Sequence, residues 1–107
     1  MTARTSSIGM SETELQEAIR EAAELGGWLY YHTHDSRRSP AGFPDVVLVH
    51  PTRHELVFLE LKRSTGVATG AQIAWIEALR AAGPPDAWVI RPEDLNWLLV
   101  RLTRRRS

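Results

Sequence analysis

Three side chains near the middle of the chain are of the types that handle phosphate chemistry: the carboxylates of Asp45 and Glu60 and the ammonium of Lys62. Asp45 opens one apolar run, Asp45-Val-Val-Leu-Val-His50, and Glu60 and Lys62 close another, Leu56-Val-Phe-Leu-Glu-Leu-Lys62. With a hairpin loop at Pro51–His54, His50 pairs with Glu55, and the same register sets Asp45 opposite Glu60. Directly opposed residues hold their Cβ atoms about 4.5–5.5 Å apart, where like charges repel unless something neutralises them. A hard divalent cation such as Mg²⁺, which takes carboxylate and water oxygens, would do so. Strand alternation points Lys62 to the same face as Glu60, where an ammonium can orient a water or offset charge growing on a phosphate. A register slipped by one residue separates the carboxylates onto opposite faces. Taken alone, Glu60 and Lys62 read more readily as a solvated ladder on an edge strand.

The elements that must position these groups are legible from pattern. Ser11 and Glu14 form a capping box, and Leu15, Ala18, Ile19, Ala22 and Leu25 recur at helical spacing until Gly26-Gly27, which predicts a helix over 11–25. Trp28–His32 reads as a short aromatic strand and 33–42 as a polar loop. The two runs around Pro51–His54 are strands of a hairpin, both largely buried, with His50 and His54 facing solvent beside the turn. Thr69 caps a second helix, with Gln72 returning the bond, up to Gly83-Pro84-Pro85. Ala87–Arg91 is a fourth strand. Pro92 begins a last helix to about Leu102, with Leu95, Leu98, Leu99 and Leu102 on one face. The order is αβββαβα. Residues 1–10 read as a flexible leader, 11–102 as one domain and 103–107 as a basic tail.

The chain has 107 residues, 43% hydrophobic and 24% charged, which suits a single domain with its own core. Thirteen basic residues cancel thirteen acidic ones, and Lys62 is the only lysine. Net neutrality excludes a generally sticky polycation but leaves room for unlike local patches. The lack of cysteine excludes disulfides, thiol catalysis and thiolate zinc sites. No apolar run is long enough for a membrane span, and residues 1–10 lack a signal-peptide core. The expected setting is therefore the cytoplasm, without membrane attachment.

The assembly Gly42-Phe43-Pro44-Asp45, then Glu60-Leu61-Lys62, then a helix opening on Gln72-Ile-Ala-Trp75, resembles the PD-(D/E)XK nucleases, and more closely their VRR-NUC (virus-type replication-repair nuclease) family. The resemblance extends over about 11–102. It implies a restriction-endonuclease-like α/β fold: an αβββαβ core whose mixed four-stranded sheet is flanked by helices, followed by a C-terminal helix. It implies hydrolysis of DNA phosphodiesters with Mg²⁺, or Mn²⁺ in its place, and no organic cofactor. Asp45 and Glu60 would hold the metal with the main-chain carbonyl of Leu61, Lys62 would be the catalytic lysine, and Gln72 would lie against the site. Family members carry a first-helix glutamate four residues before a glutamine. Glu12 and Gln16 fit that spacing, which makes Glu12 a further candidate ligand; a favourable charge in the first helical turn explains it equally well.

Stand-alone members resemble Holliday-junction resolvases, which implies branched DNA as substrate and a homodimer to cut two strands. The setting would be replication, recombination or repair in a bacterial cell or a phage-infected host. Two rival readings are a non-catalytic DNA-binding module that keeps the fold, and a restriction-type or nicking nuclease acting with a partner. The triad Asp45, Glu60 and Lys62 is intact, which separates the enzyme readings from the module.

Other residues carry weaker signals. Ser36, Arg37, Arg38 and Ser39, ahead of the Gly42 turn, and Arg63 and Ser64, after the lysine, have the donors to hold DNA phosphates, or are ordinary solvated loops. Gln72 serves the helix cap as readily as a site. Trp75 reads as core or interface. His32 and His34 lack further ligands at zinc spacing.

Overall fold

The computed structural model describes residues 9–33, 40–83 and 85–104. Its elements are α1 (Glu12–Leu25), β1 (Leu29–His32), β2 (Val46–His50), β3 (Glu55–Leu61), α2 (Gly70–Ala81), β4 (Asp86–Ile90), a 3₁₀ turn (Pro92–Asp94) and α3 (Leu95–Thr103). The predicted leader and tail fall mostly on 1–8 and 105–107, outside the described residues, as does the loop segment 34–39. Both predicted capping boxes are present: Ser11 Oγ accepts from Glu14 N–H while Glu14 returns the bond, and Thr69 with Gln72 repeats it on α2. Each box satisfies two of the donors that a helix start leaves without partners.

The strands form one sheet in the order β1-β2-β3-β4. β1, β2 and β3 run antiparallel, and β3 and β4 run parallel across the α2 crossover. His50 pairs with Glu55 and Val46 with Leu59, the register expected from the hairpin. The fold is thus the mixed four-stranded sheet flanked by helices, with a C-terminal helix, that the sequence implied.

One sheet face carries the core. Leu15, Ile19 and Ala23 of α1, Val46 and Leu48 of β2, Val57, Leu59 and Leu61 of β3, and Leu98 and Leu102 of α3 are buried together. Each such leucine contributes roughly 1.5–3 kcal/mol by leaving water. The helices α1 and α3 meet closely at their C-terminal ends, where a Cβ on Gly26 would lie 1.9 Å from the Leu102 carbonyl oxygen. Trp28 Nε1 donates to that same oxygen at 2.9 Å.

The structure corrects several expectations. His50 does not face solvent: it is 7% exposed, its ring lies edge-on to Trp28, and its Nε2 lies 2.9 Å from the Gly26 carbonyl oxygen. Its place at the inward end of β2 overrides the polarity of its type. His54 is exposed, with a left-handed φ of 57° in the turn. The hairpin strands are buried on one face only, since Val49 and Leu56 are exposed. Boundaries shift by a residue or two: Asp45 precedes β2, Lys62 follows β3, Trp28 precedes β1, and the last helix opens with a 3₁₀ turn.

Candidate metal and phosphodiester site

Asp45 is fixed by its neighbours on both sides. Its Oδ2 accepts from the Leu61 main-chain N–H at 2.8 Å, and its carbonyl accepts from Thr33 N–H at 3.0 Å. The carboxylate is therefore tied to the strand that carries Glu60. The approach to Asp45 depends on Gly42, whose φ of +89° lies in the left-handed region and whose absent Cβ would sit 2.5 Å from the Ala71 carbonyl group. The turn thereby abuts the first turn of α2. Trp75 Nε1 donates to the Ala41 carbonyl at 3.2 Å, and the Phe43 ring stands edge-on to both Trp75 and Phe58. Trp75, read from the sequence as core or interface, thus acts as a brace for the Asp45 loop.

Glu60 is 2% exposed, and its Oε1 has no hydrogen-bond partner among the described residues. Its Oε2 lies 3.7 Å from Lys62 Nζ. Burial pushes the Glu60 carboxyl up to about 8, the Asp45 carboxylate pushes it the same way, Lys62 opposes them in part, and Glu12 adds a small push upward. A buried acid with one idle oxygen beside a second carboxylate lacks positive charge, which is the condition a hard cation relieves.

Lys62 remains anchored at the end of the sheet, its N–H donating to the Ile90 carbonyl at 2.9 Å, and its side chain is mostly buried. The structure therefore brings Asp45, Glu60 and Lys62 together, with the backbone of Leu61 between them. Glu12 is exposed in the first turn of α1. Among the described residues no group of three or more His, Asp or Glu side chains is gathered to hold a metal, so Glu12 acts on Glu60 through its charge and does not complete a three-carboxylate cluster.

Gln72 is engaged in its cap: Oε1 accepts from Thr69 N–H at 2.8 Å. Arg63 is exposed, and Ser64 Oγ donates to Glu93 Oε1 at 2.8 Å. A depression of about 240 Å³, lined by residues 9–11 and 63–65, lies between the segments that carry Glu12 and Lys62. Ser36, Arg37, Arg38 and Ser39 lie outside the described residues.

One contributor gave no sequence signal. Arg91 Nε and Nη2 both donate to the Gly66 carbonyl, at 3.3 and 2.9 Å, and pin the segment between Lys62 and α2 to the end of β4. A second depression, about 640 Å³ and lined in part by His50, Thr52 and Arg53, sits at the hairpin end of β2. That end is roughly 16 Å from the carboxylates by strand rise. Its polar groups bond to one another, since Arg53 N–H and Thr52 both approach His50 Nδ1 at 3.3 Å, so it belongs to the packing of the turn.

The profile of the VRR-NUC domain matches residues 2–90. A solved structure described as a VRR-NUC domain superposes with a TM-score of 0.68 at 22% identity, covering 82% of this chain and 92% of the other. Another, described as a VRR-NUC domain protein, gives 0.55 at 19% identity, covering 87% and 90%. At these identities the likeness to solved structures concerns the fold. No curated protein matches the chain.

Proposed function

Because the chain belongs to the VRR-NUC domain family, a family of nuclease-type domains, we propose that it is a metal-dependent DNA endonuclease acting on branched DNA. The observation that carries this reading is the buried Glu60 carboxyl with an idle Oε1, set beside Asp45 and within 3.7 Å of Lys62.

Asp45, Glu60 and the Leu61 carbonyl would hold Mg²⁺, or Mn²⁺. When bound, the ion would supply Lewis-acid polarisation of a phosphoryl oxygen and a more acidic water. The chain's own groups do the remaining work. Asp45, its Oδ2 fixed by the Leu61 N–H, is held beside Glu60. Lys62 holds a compact positive charge where negative charge grows on the phosphate, and its contact with Glu60 limits its motion. Arg63, exposed beside the depression next to Lys62, offers donors for the backbone of the bound strand, and the loop with Arg37 and Arg38 offers more. Gln72 contributes through its amide NH₂ once its Oε1 is committed to the cap.

So small a domain has little surface for reading bases, which favours DNA shape as the thing recognised. Cutting two strands symmetrically calls for two copies. The reading places the protein in the cytoplasm of a bacterial or phage-infected cell, in replication, recombination or repair. Among the described residues no helix is long and apolar enough to cross a membrane.

The test is cleavage of labelled four-way junction, flap and linear duplex, each with Mg²⁺ or with chelator. Metal-dependent cutting, strongest on the junction and lost in Asp45→Asn and Lys62→Ala, is expected. Binding without cutting would establish the non-catalytic module instead. Equal cutting of linear duplex would remove the branch preference.

A further inference from the structure

Lys62 carries the charge that the proposed reaction needs, yet Glu60 alone does not orient it. At 3.7 Å from Glu60 Oε2 the ammonium is attracted but lies beyond hydrogen-bond length. It stands on a flexible four-carbon stem, whereas a charge that stabilises a transition state acts best when its place is fixed before the reaction begins. The side chain is only 15% exposed, so neighbouring atoms confine it.

The segment that follows supplies one wall. Gly66 N–H donates to the Arg63 carbonyl at 2.9 Å and closes a turn over residues 63–66. The turn folds back onto the lysine: a Cβ on Gly66 would lie 3.4 Å from Lys62 Cβ and 3.3 Å from the Arg63 main chain. Having no side chain there lets the backbone at 66 lie close to the root of the Lys62 side chain.

Two successive residues at the end of β4 hold this turn at both ends. The Ile90 carbonyl accepts from Lys62 N–H at 2.9 Å, and Arg91 Nε and Nη2 donate to the Gly66 carbonyl at 3.3 and 2.9 Å. Arg91 is itself fixed, since its N–H donates to Asp94 Oδ2 at 2.9 Å and its carbonyl accepts from Asp94 N–H at 2.8 Å. Ser64 Oγ adds a tie to the same corner through Glu93 Oε1, at 2.8 Å. A planar guanidinium that reaches one oxygen through two of its nitrogens sets the direction of that oxygen as well as its distance.

We propose that Arg91 is a positioning residue for Lys62: by clamping the Gly66 carbonyl it holds the 63–66 turn against the lysine and so sets where the ammonium stands. The effect runs through the turn and not through the charge of the guanidinium. What Lys62 does to DNA rests on the proposed function; where the clamp places it does not.

The test follows the Lys62 side chain as well as cleavage. With ¹³C-lysine incorporated, a confined side chain gives its two ε-methylene protons separate NMR shifts, and a freely rotating one gives them a shared average. The metal-free wild-type chain is expected to show the split, and Arg91→Met, which keeps the stem and loses the donors, to show the average. Arg80→Met is the control and should keep the split, because Arg80 Nε also donates to a main-chain carbonyl of β4, that of Ala87 at 2.7 Å, but toward the end of the strand remote from Lys62. In single turnover Arg91→Met should cut about ten- to a hundredfold more slowly than wild type, with DNA affinity little changed, which separates positioning from binding. Should Arg91→Met not fold, Gly66→Ala carries the test, since its methyl meets Lys62 Cβ while the guanidinium stays in place; shifted Lys62 signals and slower cutting are expected. A split that survives Arg91→Met, a split that Arg80→Met also loses, an averaged signal with an unchanged cleavage rate, or a Gly66→Ala variant that behaves as wild type overturns the inference. A wild type that cuts no DNA overturns the proposed function, and the Lys62 signal still decides the clamp.

Discussion

The main-chain N–H of Leu61 donates to the Asp45 carboxylate at 2.8 Å, so that one strand of the hairpin holds the acid carried at the start of the other. The bond uses one lone pair of Oδ2 and ties the Asp45 carboxylate to the strand that carries Glu60. The two carboxyl groups are thereby held close enough to repel when both are ionised.

That repulsion gives the metal-free protein a pH dependence. Glu60 titrates near 8 in the folded chain against 4.5 for an ordinary glutamate, chiefly through burial and secondly through Asp45. The folded state binds the proton more tightly than the unfolded state, so stability is full below about 4.5 and declines as pH rises toward 8. Thermal unfolding in chelator should show a falling Tm over this window, by an amount worth a few kcal/mol at most. Glu60→Gln should flatten the slope, and Mg²⁺ should raise the Tm more at pH 8 than at pH 5.5.

Lys62→Ala should reduce cleavage by roughly 10²–10³-fold, the usual cost of removing one charged or hydrogen-bonding group that stabilises a transition state, with DNA affinity changed little. Lys62→Arg should not restore the rate, because a planar guanidinium does not replace a compact ammonium within 3.7 Å of Glu60. Single-turnover rates alongside binding isotherms separate the two effects; an active arginine variant would show that only charge matters.

Gly42→Ala strains a left-handed φ and drives a methyl group into the Ala71 backbone. A loss of about 1–3 kcal/mol is expected in denaturant unfolding, together with weaker Mg²⁺ affinity as the Asp45 loop moves away from α2. Gly83→Ala serves as control, since its φ of +126° is also left-handed but no atom lies within 4 Å of the added methyl.

His50→Ala removes a buried ring that bonds Gly26 and packs on Trp28. It should cost roughly 1–3 kcal/mol by leaving polar groups unpaired while the rate constant for cleavage is unchanged, because the ring is at the far end of β2 from Asp45. Chemical denaturation and cleavage assays on the same preparation check both halves.

Much of this arrangement could be read before any coordinates. The two capping boxes, the hairpin register and the order of elements follow from local chemistry: side-chain oxygens three residues from a helix start, and alternation on either side of a four-residue turn. Asp45, Glu60 and Lys62 were legible because that register brings them together. His50 was misplaced because its polarity suggested solvent, whereas it shares the inward face of β2 with Val46 and Leu48 and meets Gly26 and Trp28 there. Arg91 and the brace of Trp75 depend on contacts 25 and 34 residues away, which no local pattern encodes.

Lys62 is the only lysine in the chain, so apart from the terminal amine it is the only primary amine on the polypeptide. Every other cationic side chain that is ionised at all pH values of interest is an arginine, inert to amine-selective acylation. Reagents that label lysines indiscriminately elsewhere become single-site reporters here: one added mass beyond the amino terminus counts occupancy of the nitrogen beside Glu60. Its rate of appearance measures how open that corner of the molecule is, and protection from labelling maps what occupies it.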